Sequence, residues 1–319
     1  MLYDFIKIPA RLALFIYCRQ IRIRNKQALQ SRGPLLIACN HPNSFLDAVI
    51  IATLFRQPVY SLARGDAFKN KTAARLLRAL HILPVYRVTE GVENLEHNYT
   101  TFDACKELFK KNGIVLIFSE GRCINEWHLR PLRKGTARLA ISAWQEGIPL
   151  KVLPAGINYS SFHCFGKNVQ LNFGDCITME TSDWNNVQGK SILDFNRQLL
   201  TQLNQLVVEV PHKEVAGVYK NFHVKQPLWK KVLLALPAAA GWALHWPLYL
   251  PLRYFAKHGI KEEGHFDSIM TGLLLLSYPV YLFIIAAAVY FLTGGWWWLL
   301  SFFILPFFAW SYVQLKHQF

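Results

Sequence analysis

The chain has 319 residues, enough for one large domain or a domain with a membrane appendage. Lys and Arg total 35 against 20 Asp and Glu, a net charge of +15, while 52% of the residues are hydrophobic and 17% are charged. That balance points to membrane lipids, phosphorylated substrates or an acidic carrier protein. It disfavours nucleic acid, because the aromatic residues cluster in apolar runs and are not interleaved with the cations.

Residues 1–24 mix Phe5, Leu12, Phe15 and Ile16 with Lys7, Arg11, Arg19, Arg22 and Arg24. The pattern predicts an amphipathic helix over 1–26 lying at a membrane surface, with a helix packed on the protein as the alternative. Arg11 interrupts the apolar stretch and no small-residue cleavage site follows, so this is not a signal peptide. From 27 to 211, strand and helix patterns alternate. Strands are expected at 34–39, 58–62, 81–86, 114–118 and 152–158, with an edge strand at 169–173. Helices are expected through 50–54, then at 72–80, 92–111, 134–145 and 192–208. Such alternation predicts an α/β domain with a mostly parallel sheet flanked by helices. Ligands bind such sheets at the carboxyl ends of the strands.

A linker is expected over 212–231, and a helical membrane region over 232–319. Residues 232–252 carry Pro237, Pro247 and Pro251 between cationic flanks, which favours a re-entrant or interfacial segment over a crossing. No Asp, Glu, Lys or Arg occurs from Ser268 to Leu315, and Gly294-Gly295 lies inside that run. A transmembrane hairpin over 268–315 meets the need for about 20 apolar residues per helix. The charge flanks then place the domain and both hairpin ends on the cytoplasmic side of the (inner) membrane. The six cysteines show no CxxC pair and no metal-ligand spacing. They read as reduced and mostly buried, with no metal site.

Four short blocks sit at predicted strand ends. Asn40-His41-Pro42-Asn43-Ser44-Phe45-Leu46-Asp47 offers an imidazole and a carboxylate that can pair, making His41 a better general base. Phe118-Ser119-Glu120-Gly121-Arg122 offers a glycine that permits close approach and a guanidinium suited to phosphate. Leu83-Pro84-Val85-Tyr86-Arg87 places a second guanidinium after a strand, and Val152-Leu153-Pro154-Ala155-Gly156 is a strand with a glycine at a point of close approach.

In order and spacing these blocks resemble those of the glycerolipid acyltransferase family, over residues 1 to about 210. The family pattern has Asn-His, four residues and then Asp, a second block running from Gly to Arg, a Phe-Pro-Glu-Gly-Thr-Arg block and a Val-Pro-type block. The resemblance implies that His41 is the general base and Asp47 its orienting carboxylate. Arg87, Glu120, Gly121 and Arg122 would hold the acceptor, with Lys134 (or Arg130 or Arg133) sharing the phosphate. It implies acyl-CoA or acyl carrier protein as donor, a glycerolipid phosphate as acceptor, and no cofactor. Lysophosphatidate is the expected acceptor. Glycerol 3-phosphate acylation, lysophospholipid remodelling and transacylation are the alternatives. Three departures bear on the acceptor and not on the chemistry: five residues separate His41 from Asp47, the second block lacks its usual Gly, and Arg122 stands one place early. A lipid hydrolase would need a serine nucleophile, and no G-x-S-x-G elbow occurs. A non-catalytic lipid binder would have no use for a paired base.

Overall fold

The computed structural model describes residues 2–86, 96–181, 188–211, 215–258 and 263–318. Its centre is a seven-stranded sheet of β1 (Cys18–Arg24), β2 (Leu35–Cys39), β3 (Val59–Arg64), β4 (Ile82–Val85), β5 (Ile114–Phe118), β6 (Lys151–Tyr159) and β7 (Lys167–Phe173), in the order β1-β7-β6-β2-β5-β3-β4. Every pairing is parallel except β6–β7. The helices of the domain are α1 (Leu2–Tyr17), α2 (Phe45–Leu54), α3 (Lys71–Ala79), α4 (Glu96–Lys110), α5 (Gly135–Gln145), α6 (Gln188–Leu206) and α7 (Val215–Phe222).

β2 shows why the sheet forms where it does. All five of its residues are buried, as expected of a strand covered on both faces. Their period of two sends Leu35, Ile37 and Cys39 into one core and Leu36 and Ala38 into another. The first core also holds Leu14 of α1, Leu46, Ile50 and Ile51 of α2, and Met270 from the C-terminal region. The second holds Cys105 and Phe109 of α4, the apolar face of α5, and Phe195, Leu199 and Leu203 of α6. Each full burial of a large aliphatic side chain stabilises the fold by about 1.5–3 kcal/mol.

The first 24 residues do not form one helix. α1 ends at Tyr17, and Cys18–Arg24 becomes strand β1, paired with β7. Residues 21–24 (Ile-Arg-Ile-Arg) alternate with a period of two, half-burying the isoleucines and exposing Arg22 and Arg24. With β1 outside it, β7 is an interior strand and not the expected edge. α7 lies within the expected linker.

The C-terminal region comprises α8 (Leu228–His258), α9 (Phe266–Thr293) and α10 (Ser301–Leu315), the last preceded by a 3₁₀ turn over Trp296–Leu300. Among the described residues three helical stretches are long and apolar enough to cross a membrane: Leu228–His258, Phe266–Thr293 and Trp296–Leu315. α9 is capped by Gly294, whose φ of 65° an L side chain rarely adopts and whose N–H returns to the Tyr290 carbonyl at 2.8 Å. α8 is one continuous 31-residue helix despite its three internal prolines, so no re-entrant turn forms. Both its ends nevertheless lie on the domain. Lys230 donates to Gln314 Oε1, and Gln314 Nε2 donates to the Arg19 carbonyl on β1. At the other end, Ala256 is buried in the first core beside Phe266.

Candidate active site

The site forms where the chain leaves β2 beside the ends of β5 and β6. Asn40 continues the ladder with its side chain: Nδ2 donates to the Ile157 carbonyl (3.0 Å), and Ile157 N–H donates to Oδ1 (2.8 Å). An amide mimics a peptide group here, so the strand end stays fixed one residue past the backbone pairing. His41 follows, then the turn Pro42–Ser44, then α2 carrying Asp47. Ser44 has φ 54°, uncommon for a non-glycine residue, and it bridges the longer spacing between His41 and Asp47.

His41 Nδ1 lies 2.9 Å from Asp47 Oδ2. A buried carboxylate can only accept, so the Nδ1 proton faces Asp47 and Nε2 is the nitrogen left for a reacting hydroxyl. Asp47 is fully buried, and its other bonds also come from donors: Asn43 N–H to Oδ2 (2.8 Å) and the Tyr159 hydroxyl to Oδ1 (2.6 Å). Burial, with Asp47 beside it, holds the Tyr159 hydroxyl protonated well above the ordinary phenol range. The His41 ring stacks on Phe118, with centroids 3.8 Å apart and planes 12° from parallel, while its side chain keeps 17% exposure. The His41 ring is therefore held on one edge and one face, and its remaining edge is partly open.

β5 supplies the opposite wall. Ser119 N–H extends the pairing to the Cys39 carbonyl (2.9 Å). Gly121 turns the chain with φ 67°. Glu120 was expected among the acceptor ligands. In the structure both its oxygens accept backbone N–H groups, from His41 (2.7 Å) and Arg130 (2.8 Å), and it is buried. It therefore ties the His41 strand end to the loop over 120–134. Burial pushes its carboxyl above the ordinary range, with those two donors opposing the shift. The same loop covers the His41 turn through Ile124 N–H to the His41 carbonyl (3.3 Å) and Asn125 Nδ2 to the Pro42 carbonyl (2.6 Å).

Arg122 and Lys134 are both exposed, at the start of this loop and at the head of α5. Arg133 is exposed as well, whereas Arg130 pairs with Glu126 at 2.7 Å. Arg87 lies outside the described residues. Gly156 permits close approach of another part of the protein, since a Cβ there would stand 2.5 Å from the Leu206 carbonyl oxygen of α6. Two groups that could support nucleophilic catalysis are buried. Ser44 is buried, with its hydroxyl 2.6 Å from His265 Nδ1. Burial, then Asp47 and Glu120, raise the Cys39 thiol well above its ordinary value, which keeps it protonated. All six cysteines are free, three of them buried. Among the described residues no group of His, Cys, Asp or Glu is arranged to hold a metal ion.

Tyr159, Phe118 stacking and Asn40 bonding were not assigned from sequence. Asn40 and Phe118 stand inside the recognised blocks. Tyr159 lies 112 residues from Asp47, at the end of a strand that carried its own block, and only strand register brings the two together.

Residues 20–158 match the family model described as Acyltransferase. No curated protein matches the chain. Among solved structures, the chain is similar to the 1-acyl-sn-glycerophosphate acyltransferase PlsC from Thermotoga maritima, with 13% identity, a TM-score of 0.40, and coverage of 61% of this chain and 78% of that one. The matched stretch, residues 20–158, contains His41, Asp47 and Glu120.

Proposed function

We propose that the protein transfers a fatty acyl group from acyl-CoA or acyl carrier protein to a hydroxyl of a phosphorylated glycerolipid precursor, lysophosphatidate first among the candidates. The observation that carries this reading is the His41–Asp47 pair: Nδ1 is fixed at 2.9 Å by a fully buried carboxylate, and the ring remains accessible. In the proposed reaction His41 Nε2 takes the proton of the acceptor hydroxyl as its oxygen attacks the thioester carbonyl. Asp47 stabilises the imidazolium that forms. Collapse of the tetrahedral intermediate breaks the carbon–sulfur bond, and the imidazolium returns its proton to the departing thiolate. The products are a new ester and a free thiol, with no covalent enzyme intermediate.

The exposed Arg122 and Lys134 supply cations for the acceptor phosphate, with Arg87 as a further candidate. Gly121 shapes the turn that presents Arg122, and Glu120 acts by fixing this loop against His41. The α9–α10 hairpin spans the membrane. α8 lies in the interface with both ends on the domain, and the exposed Phe5, Ile8, Leu12 and Phe15 of α1 enter the acyl layer. Lys230, Lys231, Arg253 and Lys257, which flank α8, favour a cytoplasmic domain.

A panel of acceptors offered to the full chain in liposomes tests the substrate assignment. Lysophosphatidate should be acylated faster than glycerol 3-phosphate or uncharged lysolipids, and Arg122→Ala should raise its KM about 5- to 100-fold, the loss of one charge-assisted phosphate contact. Equal rates on unphosphorylated acceptors would overturn the phosphate assignment.

A further inference from the structure

The turn between His41 and Asp47 is held by the head of α9 as well as by the α/β domain. Asp267, in the first turn of α9, is fully buried and forms an ion pair with the fully buried Lys167 of β7. Its Oδ1 accepts the Tyr17 hydroxyl at 2.7 Å, and its Oδ2 accepts Asn43 Nδ2 at 2.8 Å. Asn43 is the residue whose backbone N–H donates to Asp47 Oδ2. One residue thus carries Asp267 on its side chain and the orienting carboxylate on its main chain. A second route runs through the cation. Lys167 Nζ sits 5.8 Å from the ring centroid of Tyr159, whose hydroxyl holds the other oxygen of Asp47.

The next residues of the C-terminal region grip the same turn. Ser268 Oγ accepts the Leu46 N–H (3.1 Å) and donates to the Asn43 carbonyl (3.3 Å), while His265 Nδ1 meets the Ser44 hydroxyl (2.6 Å). These contacts surround the position of unusual backbone, Ser44 with φ 54°. A conformation of that kind persists only where its surroundings over-determine it. Four elements distant in sequence (α1, β7, the His41 turn and α9) converge on one buried carboxylate. Three of them, α1, β7 and α9, lie outside residues 20–158 that match the family model.

We propose that Asp267 is a positioning residue for His41 and Asp47, and that the C-terminal membrane region is a working part of the active site as well as an anchor. This rests on the acyl-transfer reading for its kinetic consequence, though not for its geometric one. Asp267 reaches no substrate. It fixes the Asn43 turn, which sets the separation and angle of the catalytic pair.

The test uses the full chain in detergent or liposomes with labelled acyl-CoA and lysophosphatidate. It pairs Asp267→Asn with a double variant, Asp267→Leu and Lys167→Met, which replaces the buried ion pair with apolar side chains. Such replacements often keep or raise stability. The double variant also leaves the buried Tyr17 hydroxyl and Asn43 amide without their acceptor and should melt below wild type. Assayed below that transition, it should show kcat reduced about 10- to 100-fold with KM for both substrates within about twofold, as misplacement of a catalytic group predicts. The low-field His41 Nδ1–H proton signal, assigned with His41→Ala, should shift or broaden in both variants. Wild-type kcat and His41 signal below that transition would reduce Asp267 to a packing role and overturn the proposal. If the double variant does not fold, Asp267→Asn, which keeps an acceptor oxygen at the site, carries the test. A severalfold loss of kcat below its melting transition supports the proposal, and wild-type kcat overturns it. The His41 signal is read without substrate. A wild-type protein that makes no ester would therefore contradict the acyl-transfer reading while leaving the positioning role decided by the spectrum.

Discussion

The α/β domain and the C-terminal helices are built from the same apolar residue types and treat them in opposite ways. Leu36 and Ile37 of β2 are sealed between two layers, whereas Phe291, Leu292 and Trp296 at the far end of the hairpin are about four-fifths exposed. In water the second arrangement would be costly, at about 25 cal/mol for each Å² of apolar surface left uncovered. In a bilayer it is the stable one, since the helices satisfy their own backbone and the lipid covers the rest. The contrast teaches that each region is folded for its own solvent. At the boundary between them, His265, Asp267 and Ser268 pair with polar groups of the domain.

Four measurements can break or sharpen that comparison. His41→Ala should reduce turnover about 10²- to 10⁴-fold, the usual contribution of a general base, while liposome association is unchanged. If the variant leaves the membrane as it loses activity, the two regions are not separable in this way. Next come two matched truncations of leucine. Leu36→Ala should destabilise the domain by about 2–5 kcal/mol, whereas Leu292→Ala should stay within about 0.5 kcal/mol, as exposed positions do. Thermal melting in detergent compares them, and equal losses would mean that the hairpin tip packs against protein.

Tyr159→Phe removes one donor from the fully buried Asp47 and should cost about 1–3 kcal/mol, with a parallel fall in kcat. An unchanged kcat would show that Asp47 holds His41 without it. The smallest effect concerns pH. Burial raises the Glu120 carboxyl above its ordinary value of 4.5, so the folded state binds that proton more tightly than the unfolded one. Its favourable contribution is complete below that ordinary value and is lost as pH rises through the raised one. Glu120→Gln removes this titration, so its melting temperature should gain on that of wild type as pH climbs from 4.5 through the raised value. A constant gap across that window would show that the two backbone donors cancel the effect of burial.

Much of the domain could be read from the chain because parallel strands and their helices declare themselves locally. Ile114–Phe118 is an apolar run with Gly113 before it and Ser119-Glu120-Gly121 after it, and β5 spans those same five residues. The contact between His41 and Asp47 was equally legible, because the two lie within one strand–turn–helix unit. What escaped sequence reading depends on partners far away or on competing patterns. β1 was hidden because its arginines suit an amphipathic helix as well as an alternating strand, and its partner β7 lies nearly 150 residues on. Glu120 was assigned to the acceptor because its two backbone partners, His41 and Arg130, cannot be seen in a motif. Asp267 stood just outside the charge-free run, and its partners are 100, 224 and 250 residues away. A carboxylate at the very head of a membrane helix was the available signal, since such a charge is expensive unless paired.

The central claim is that the His41–Asp47 pair activates an acceptor hydroxyl for acyl transfer. Its most direct test follows ester and free fatty acid together from labelled acyl-CoA and acyl carrier protein thioesters. The full chain in liposomes is run with and without lysophosphatidate, beside His41→Ala. The account predicts a new ester that requires the acceptor and disappears in the variant, with little free fatty acid at any stage. Release of free fatty acid alone, or ester formation unchanged in His41→Ala, would contradict it.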